Sequence, residues 1–293
     1  MADLRLTYYP DITQHRTPEA VRESVESFAR AVGTKLSELM GTMHRIVVLD
    51  VVSVARQTEM IAEGLCEIGL IKPSAYVYAH RRNPRVLPAA VALRMINGKV
   101  GDMYYAQIYA DRRTGIETIA DLRDRCRGPR EQRPSIGFGD PFSTANFLVP
   151  AALLIENGLH PFTRFRRIEF LGGHDGVVRG VFEGAVDVGA GHDGVIVDLA
   201  RQPGTADAEL VLVELARREI HSDPVAVNVE DDAVRERLTR ALLAVAEREE
   251  VKADLDIFWG AVKGLGPTRH ENYASIEAAI DSLGIPESDV LGL

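Results

Sequence analysis

Hydrophobic positions along this chain switch repeatedly between strand-like alternation and helix-like spacing. "LRLTYYP" (Leu4–Pro10) reads as a strand that ends in a turn. "TPEAVRESVESFARAVGTKLSELMG" opens with a Thr cap and Pro at the first helical position and closes at Gly41, which predicts a helix. "HRIVVLDV" is β-branched and strand-like, "SVARQTEMIAEGL" is helical, and "CEIGLI" is a short strand. After Pro73, "SAYVYAHRRN" predicts a helix, and "PAAVALRMING" with "DMYYAQIYAD" predicts a pair of strands. The alternation continues through "PSIGFGD", "NFLVPAALLIENG", "RRIEFLG", "HDGVVRGVFEG" and "AVDVGAG". From about Asp231 the pattern is mostly helical. The whole reads as an α/β protein.

One pattern occurs twice. "HRIVVLDVVSVARQTEMIAEGLCEIGL" runs strand, loop, helix, Glu-Gly, strand, and "RRIEFLGGHDGVVRGVFEGAVDVGA" does the same about 120 residues later. The endings correspond position by position, from Glu63-Gly64 to Gly69 and from Glu183-Gly184 to Gly189. In each, Gly closes the helix and an alternating strand follows. Two similar βαβ units imply two α/β lobes rather than one long sheet. Such lobes place ligands at the carboxyl ends of strands, and best of all in a cleft between lobes. The expected division is residues 1–105 with 215–293 as lobe 1 and 106–214 as lobe 2, with crossover strands near Tyr104 and "AELVLVEL" acting as a hinge.

Composition narrows the class. At 293 residues the chain is long for one core and suits two domains. Apolar residues make up 46% and charged residues 26%, as in a water-soluble globular chain. A net charge of −9 argues against nucleic acid or an anionic membrane as partner, since both reward cationic surface. Cys66 and Cys126 have no metal-type spacing and make no disulfide framework; both are expected as free thiols, Cys66 buried in a strand. No run of about 18 apolar residues predicts a membrane span. "MADLRLTYYPD" lacks a basic stretch followed by an apolar one, so either the protein is cytoplasmic or an export signal was removed.

The stretch "GDPFSTANFLVP" (Gly139–Pro150) carries the candidate chemistry. Gly-Asp-Pro is a turn signal, Ser143-Thr144 a capping pair, and an apolar helix follows with Pro150 inside it. Such a start satisfies its own backbone N–H groups, and the same geometry offers those groups to an anion. "HDG" occurs twice, at His174-Asp175-Gly176 and His192-Asp193-Gly194. Two His and two Asp suit a metal site or an acid–base pair. Here they follow strands of an α/β lobe, and neither a metal, a cofactor nor a catalytic residue is expected. For His192 and Asp193 two readings stand: loop termination with an Asp helix cap, or lining of the cleft. Nucleotide-loop, nucleophile-elbow and zinc-protease motifs are absent.

"GDPFSTANFLVPAALLIENGLHP" resembles the phosphonate-, phosphite- and phosphate-binding proteins of ABC transporters, whose pattern is Asp-Pro-x-Ser-Thr-Ser-Gly-aromatic-Leu-Val-Pro. "FLGGHDGVVRGVFEGAVDVGAG" and "SDPVAV" (Ser222–Val227) are similar to further segments of that family, and the likeness covers most of residues 4–228. The resemblance implies a two-lobe type II periplasmic-binding-protein fold with hinge crossover strands. It implies that Ser143, Thr144 and the helix start hold the anionic oxygens, His174 adds a donor, and Tyr104 lies beside the ligand. It also implies that Asp223 faces a ligand's cationic group.

Some positions depart from the family pattern. The third hydroxyl is replaced by Ala145, the glycine by Asn146, and the Gly-Pro before the Ser74 helix by Lys72-Pro73. Lys72 is the residue that compensates by charge. The expected partners are a small anionic ligand bound in the interlobe cleft and, if the protein is exported, a transporter permease. The chain itself is expected as a monomer or weak dimer. The alternative is a cytoplasmic enzyme of the same fold acting on a small carboxylate or other anion.

Overall fold

The computed structural model of this chain describes residues 2–10, 16–96 and 99–284. Its strands, among those residues, are β1 (Ala2–Tyr8), β2 (His44–Val48), β3 (Ile68–Leu70), β4 (Leu87–Ile96), β5 (Lys99–Gly101) and β6 (Met103–Asp111). They continue as β7 (Ile136–Phe138), β8 (Ile168–Phe170), β9 (Val188–His192), β10 (Leu212–His221), β11 (Pro224–Val227) and β12 (Val262–Gly266). Two sheets form, one in the order β12-β4-β11-β3-β1-β2 with β5 against β4, the other β10-β6-β9-β7-β8. The chain divides into two units, Met1–Met103 with His221–Ala274, and Tyr104–Ile220 with Ser275–Leu293.

In the first unit β1 is flanked by β2 and β3, both parallel to it, so the carboxyl ends of all three strands line one edge. The long helix Pro18–Met40 begins where its sequence says it must. Thr17 Oγ1 accepts from Ala20 N at 3.2 Å, Pro18 follows, and Gly41 ends the helix at φ 68°. Val21, Val25, Phe28, Val32 and Leu36 form its buried stripe at three- and four-residue spacing. They join Leu242, Leu255 and Trp259, from the helices Asp232–Val245 and Glu249–Trp259, in one core. Each such side chain contributes roughly 1.5–3 kcal/mol when fully buried, so this face fixes the helix on its sheet.

In the second unit β7 lies parallel to both β8 and β9, while β6 runs antiparallel to β9. Tyr109, Val177, Val181, Val186 and Leu199 form its core. The repeated pattern of the sequence becomes a repeated structure. Helices Val54–Ala62 and His174–Phe182 both close on Glu-Gly, with Gly64 and Gly184 at φ 73° and 77°. Leu65 N donates to Met60 O and Ala185 N to Gly180 O, each at 2.8 Å. One motif therefore delivers β3 to the first sheet and β9 to the second.

Several local expectations need correction. Strands β4 and β6 do not pair with each other. Strand β4 joins β11, β12 and β5, and β6 joins β9, because the chain changes sheet between them. "AELV" is a helical turn, Ala208–Val211, and its strand starts only at Leu212. Cys66 is buried but sits in the turn before β3, where its thiol fills space rather than a ladder position. Strand β12 interrupts the C-terminal helices.

Candidate functional site

In the second unit, the carboxyl ends of β7, β8 and β9 deliver three loops to one sheet edge. After β7, Phe142 N donates to Asp140 Oδ1 at 2.8 Å and Ser143 N to Asp140 O at 3.0 Å, a side-chain-locked turn. Ser143 then caps the next element, its Oγ accepting from Asn146 N at 3.0 Å. That element is a π-helical turn, Thr144–Leu148, leading into the α-helix Val149–Glu156. The wide turn has a covalent reason. Asn146 O would ordinarily receive the N–H of residue 150, but Pro150 has none. Gly139 N donates to Asn146 O instead, at 3.3 Å, and Leu148 N reaches back to Ser143 O at 3.0 Å. Such π-turns are rare and concentrate at functional sites. Ser143, Thr144, Ala145 and Asn146 are all buried.

After β8, Gly173 at φ 140° turns the chain into helix His174–Phe182, whose first residue is His174. After β9, the strand ends on His192, and Asp193 N adds one more hydrogen bond to Tyr105 O at 3.1 Å. The structure brings these ends together. Asn146 Nδ2 lies 2.9 Å from His174 Nδ1, His192 N donates to the same nitrogen at 3.3 Å, and the two imidazoles are 4.7 Å apart. His192 Nδ1 accepts from Gly194 N at 3.0 Å, and Gln107 holds His192 O at 3.0 Å. Asp193 is not a helix cap, since Gly194 holds that position without a side-chain bond. Tyr104 opens this unit on β6, half-buried.

The chemistry of this edge follows from its residue types. Hydroxyls, imidazoles and helix-start N–H groups donate hydrogen bonds, and residues 139–150, 172–176 and 191–194 contain no lysine or arginine. A set of neutral donors suits an oxyanion that must be released again. Among the described residues no group of three or more His, Cys, Asp or Glu is placed to hold a metal ion.

The first unit carries the other predicted residues on its own strand edge. Lys72 precedes the helix Pro73–Arg82, with Nζ 5.7 Å from the Tyr9 ring centroid, and Ser74 is buried in the first turn. Ile71 N donates to Pro224 O at 3.4 Å, which sets Asp223-Pro224 beside Ile71-Lys72. Asp223 is buried and accepts from Arg94 Nη2 at 2.6 Å. Three residues escaped the sequence reading as site members: Asn146, Gly139 and Arg94. Asn146 had a signal, since it stands where the resembled pattern has glycine.

Comparison with known proteins gives the class and then the family. Solved structures share this two-lobe α/β periplasmic-binding-protein fold. One is PhnD1 from Prochlorococcus marinus in complex with methylphosphonate, at TM-score 0.69 and 15% identity, covering 96% of this chain and 98% of that one. Another, from Xanthomonas citri and bound to chloride ion, has TM-score 0.73 and 17% identity over 96% and 97% of the chains. The binding component of a phosphonate ABC transporter from Pseudomonas aeruginosa gives 0.63 and 16% over 96% and 86%. At these identities the likeness is one of fold. No curated protein matches by sequence. The family model for the periplasmic substrate-binding protein of phosphonate ABC transporters matches residues 12–273, and the chain belongs to that family. It is a solute-binding protein of a transport system, whose partners are a small ligand and a permease, and not an enzyme. Among the described residues no helix is long and apolar enough to cross a membrane.

Proposed function

We propose that this protein captures a phosphonate or a closely related small oxyanion and delivers it to an ABC transporter permease from the periplasm or cell surface. The carrying observation is the Ser143-capped π-turn whose Asn146 reaches His174, with the His192 ring 4.7 Å from the His174 ring, in stretches that contain no lysine or arginine. In this reading Ser143, Thr144 and the N–H groups near Ala145 hold the oxyanion, with His174 donating from the neighbouring strand end. The side chains of Tyr104 and Asp193 limit the ligand's size in the same unit. On its own strand edge the first unit carries three further candidates for ligand recognition, Lys72 with its positive charge, Ser74 and Asp223. Methylphosphonate, found in the Prochlorococcus neighbour, is the first ligand to try. Titration calorimetry with methylphosphonate, phosphite, phosphate and sulfonates tests the proposal. Saturable binding of a phosphorus oxyanion supports it, and heat from none of these anions refutes it.

A further inference from the structure

His174 Nδ1 receives two hydrogen bonds, from Asn146 Nδ2 at 2.9 Å and from His192 N–H at 3.3 Å. A backbone N–H can only donate, so Nδ1 is an acceptor and carries no proton. That fixes the Asn146 amide as well, because only its Nδ2 can face an accepting nitrogen. The neutral ring must then hold its proton on Nε2. Asn146 is fully buried, and in this orientation its Oδ1 is buried with no hydrogen-bond partner. A residue kept for packing alone would not leave an acceptor unsatisfied there. His192 is set the same way, since Gly194 N–H donates to its Nδ1.

We propose that Asn146 is a positioning residue that, together with the His192 N–H, holds His174 in the tautomer with its proton on Nε2, making that Nε2–H a hydrogen-bond donor to the bound oxyanion. The proposal rests on the oxyanion-binding reading above. The neutral imidazole serves as a donor only in this tautomer; in the other, Nε2 carries a lone pair that repels an oxyanion. Asn146 thereby does for His174 what a lysine elsewhere does by charge: it guarantees donor character, and without holding the ligand too tightly to release.

The test reads the tautomer directly. Nitrogen-15 spectra of the imidazole rings in the ligand-free protein, with His174 assigned through His174→Gln, should show an unprotonated Nδ1 and a protonated Nε2. A protonated Nδ1, or an even mixture, overturns the proposal on the wild-type protein alone. Asn146→Asp should move the proton to Nδ1, since a carboxylate only accepts, and leave the rings of His44, His80, His221 and His270 unmoved. Should that variant fail to fold, Asn146→Gly, which leaves only the longer 3.3 Å bond from the His192 N–H on Nδ1, should raise the share of the Nδ1-protonated tautomer, and an unchanged share overturns the role of Asn146. Methylphosphonate affinity should fall about tenfold to a hundredfold in Asn146→Asp. An affinity unchanged despite the tautomer switch overturns the donor role. A wild-type protein with the expected tautomer that binds no oxyanion refutes the functional reading and leaves the tautomer assignment standing.

Discussion

Arg94 and Asp223 form an ion pair at 2.6 Å with side chains 18% and 6% exposed, joining β4 to the segment that enters β11. The guanidinium also donates to Ser222 Oγ at 3.1 Å and Gly260 O at 2.9 Å, so it ties three parts of the first unit together. Removing one partner leaves the other charge buried and unbalanced. Asp223→Ala should therefore destabilise the fold by about 3 kcal/mol, read as a lower urea midpoint at constant m-value. A loss below about 0.5 kcal/mol would mean that the pair is solvated like a surface bridge.

Thr144 separates cap from cradle. Ser143 already supplies the capping oxygen to Asn146 N, so the Thr144 hydroxyl is not needed to start the helix. Thr144→Val keeps the shape and deletes the hydroxyl. Binding of methylphosphonate should weaken by roughly 1–3 kcal/mol while the unfolding midpoint stays nearly constant. Equal affinity in the two proteins would reduce this residue to a packing role.

The two cysteines offer a check on packing. Burial pushes the Cys66 thiol up to about 12 and the Cys126 thiol up to about 11, so almost no thiolate exists at pH 8. Iodoacetamide should label neither in the folded protein and both in urea, as counted by mass spectrometry. Rapid labelling of Cys126 under native conditions would show that its surroundings open readily.

His221 predicts part of the acid sensitivity. It lies 1% exposed at the end of β10, with Thr268 Oγ1 at 2.8 Å, Met103 Sδ at 3.2 Å and Asn272 Nδ2 at 3.4 Å. Burial lowers its pKa below the ordinary 6.5, and Asp102 at 3.9 Å opposes that only in part. A lowered folded pKa means that the neutral ring is the stable one. Its contribution is complete above pH 6.5 and is lost as pH falls through the folded value. His221→Gln should flatten the decline in unfolding free energy as pH falls below about 6.5. An identical pH profile in the variant would exclude His221 as a source of it.

Local chemistry made much of this fold legible. Thr17, Pro18 and Gly41 bound the first long helix, and the doubled Glu-Gly ending marks the repeated unit in the sequence itself. The Ser143 cap was legible for the same reason, since a cap is a contact over three residues. What periodicity does not carry is partnership at long range. An alternating run such as β4 looks the same whichever strand it pairs with, and only the change of sheet decides. Asn146 meets His174 across 28 positions and Arg94 meets Asp223 across 129. The π-turn needed both an absent N–H at Pro150 and a substitute donor at Gly139, and the second is a tertiary fact.

Gly139 offers the sharpest separation of these effects. Its backbone is not in the left-handed region, so alanine is permitted there on conformational grounds. Space is the obstacle: a Cβ would lie 2.4 Å from Asn146 Oδ1 and 2.6 Å from its Cγ. The Asn146 side chain is short and held by His174, so it cannot yield without breaking that bond. Gly139→Ala should destabilise by roughly 1–3 kcal/mol as an overpacked site. Asn146→Gly removes the obstructing atoms, so in that background the same alanine should cost far less. The double-mutant cycle should give a coupling of about 1 kcal/mol or more, measured by urea unfolding. Equal costs in both backgrounds would mean that Gly139 serves the turn after β7 and not the seat of Asn146.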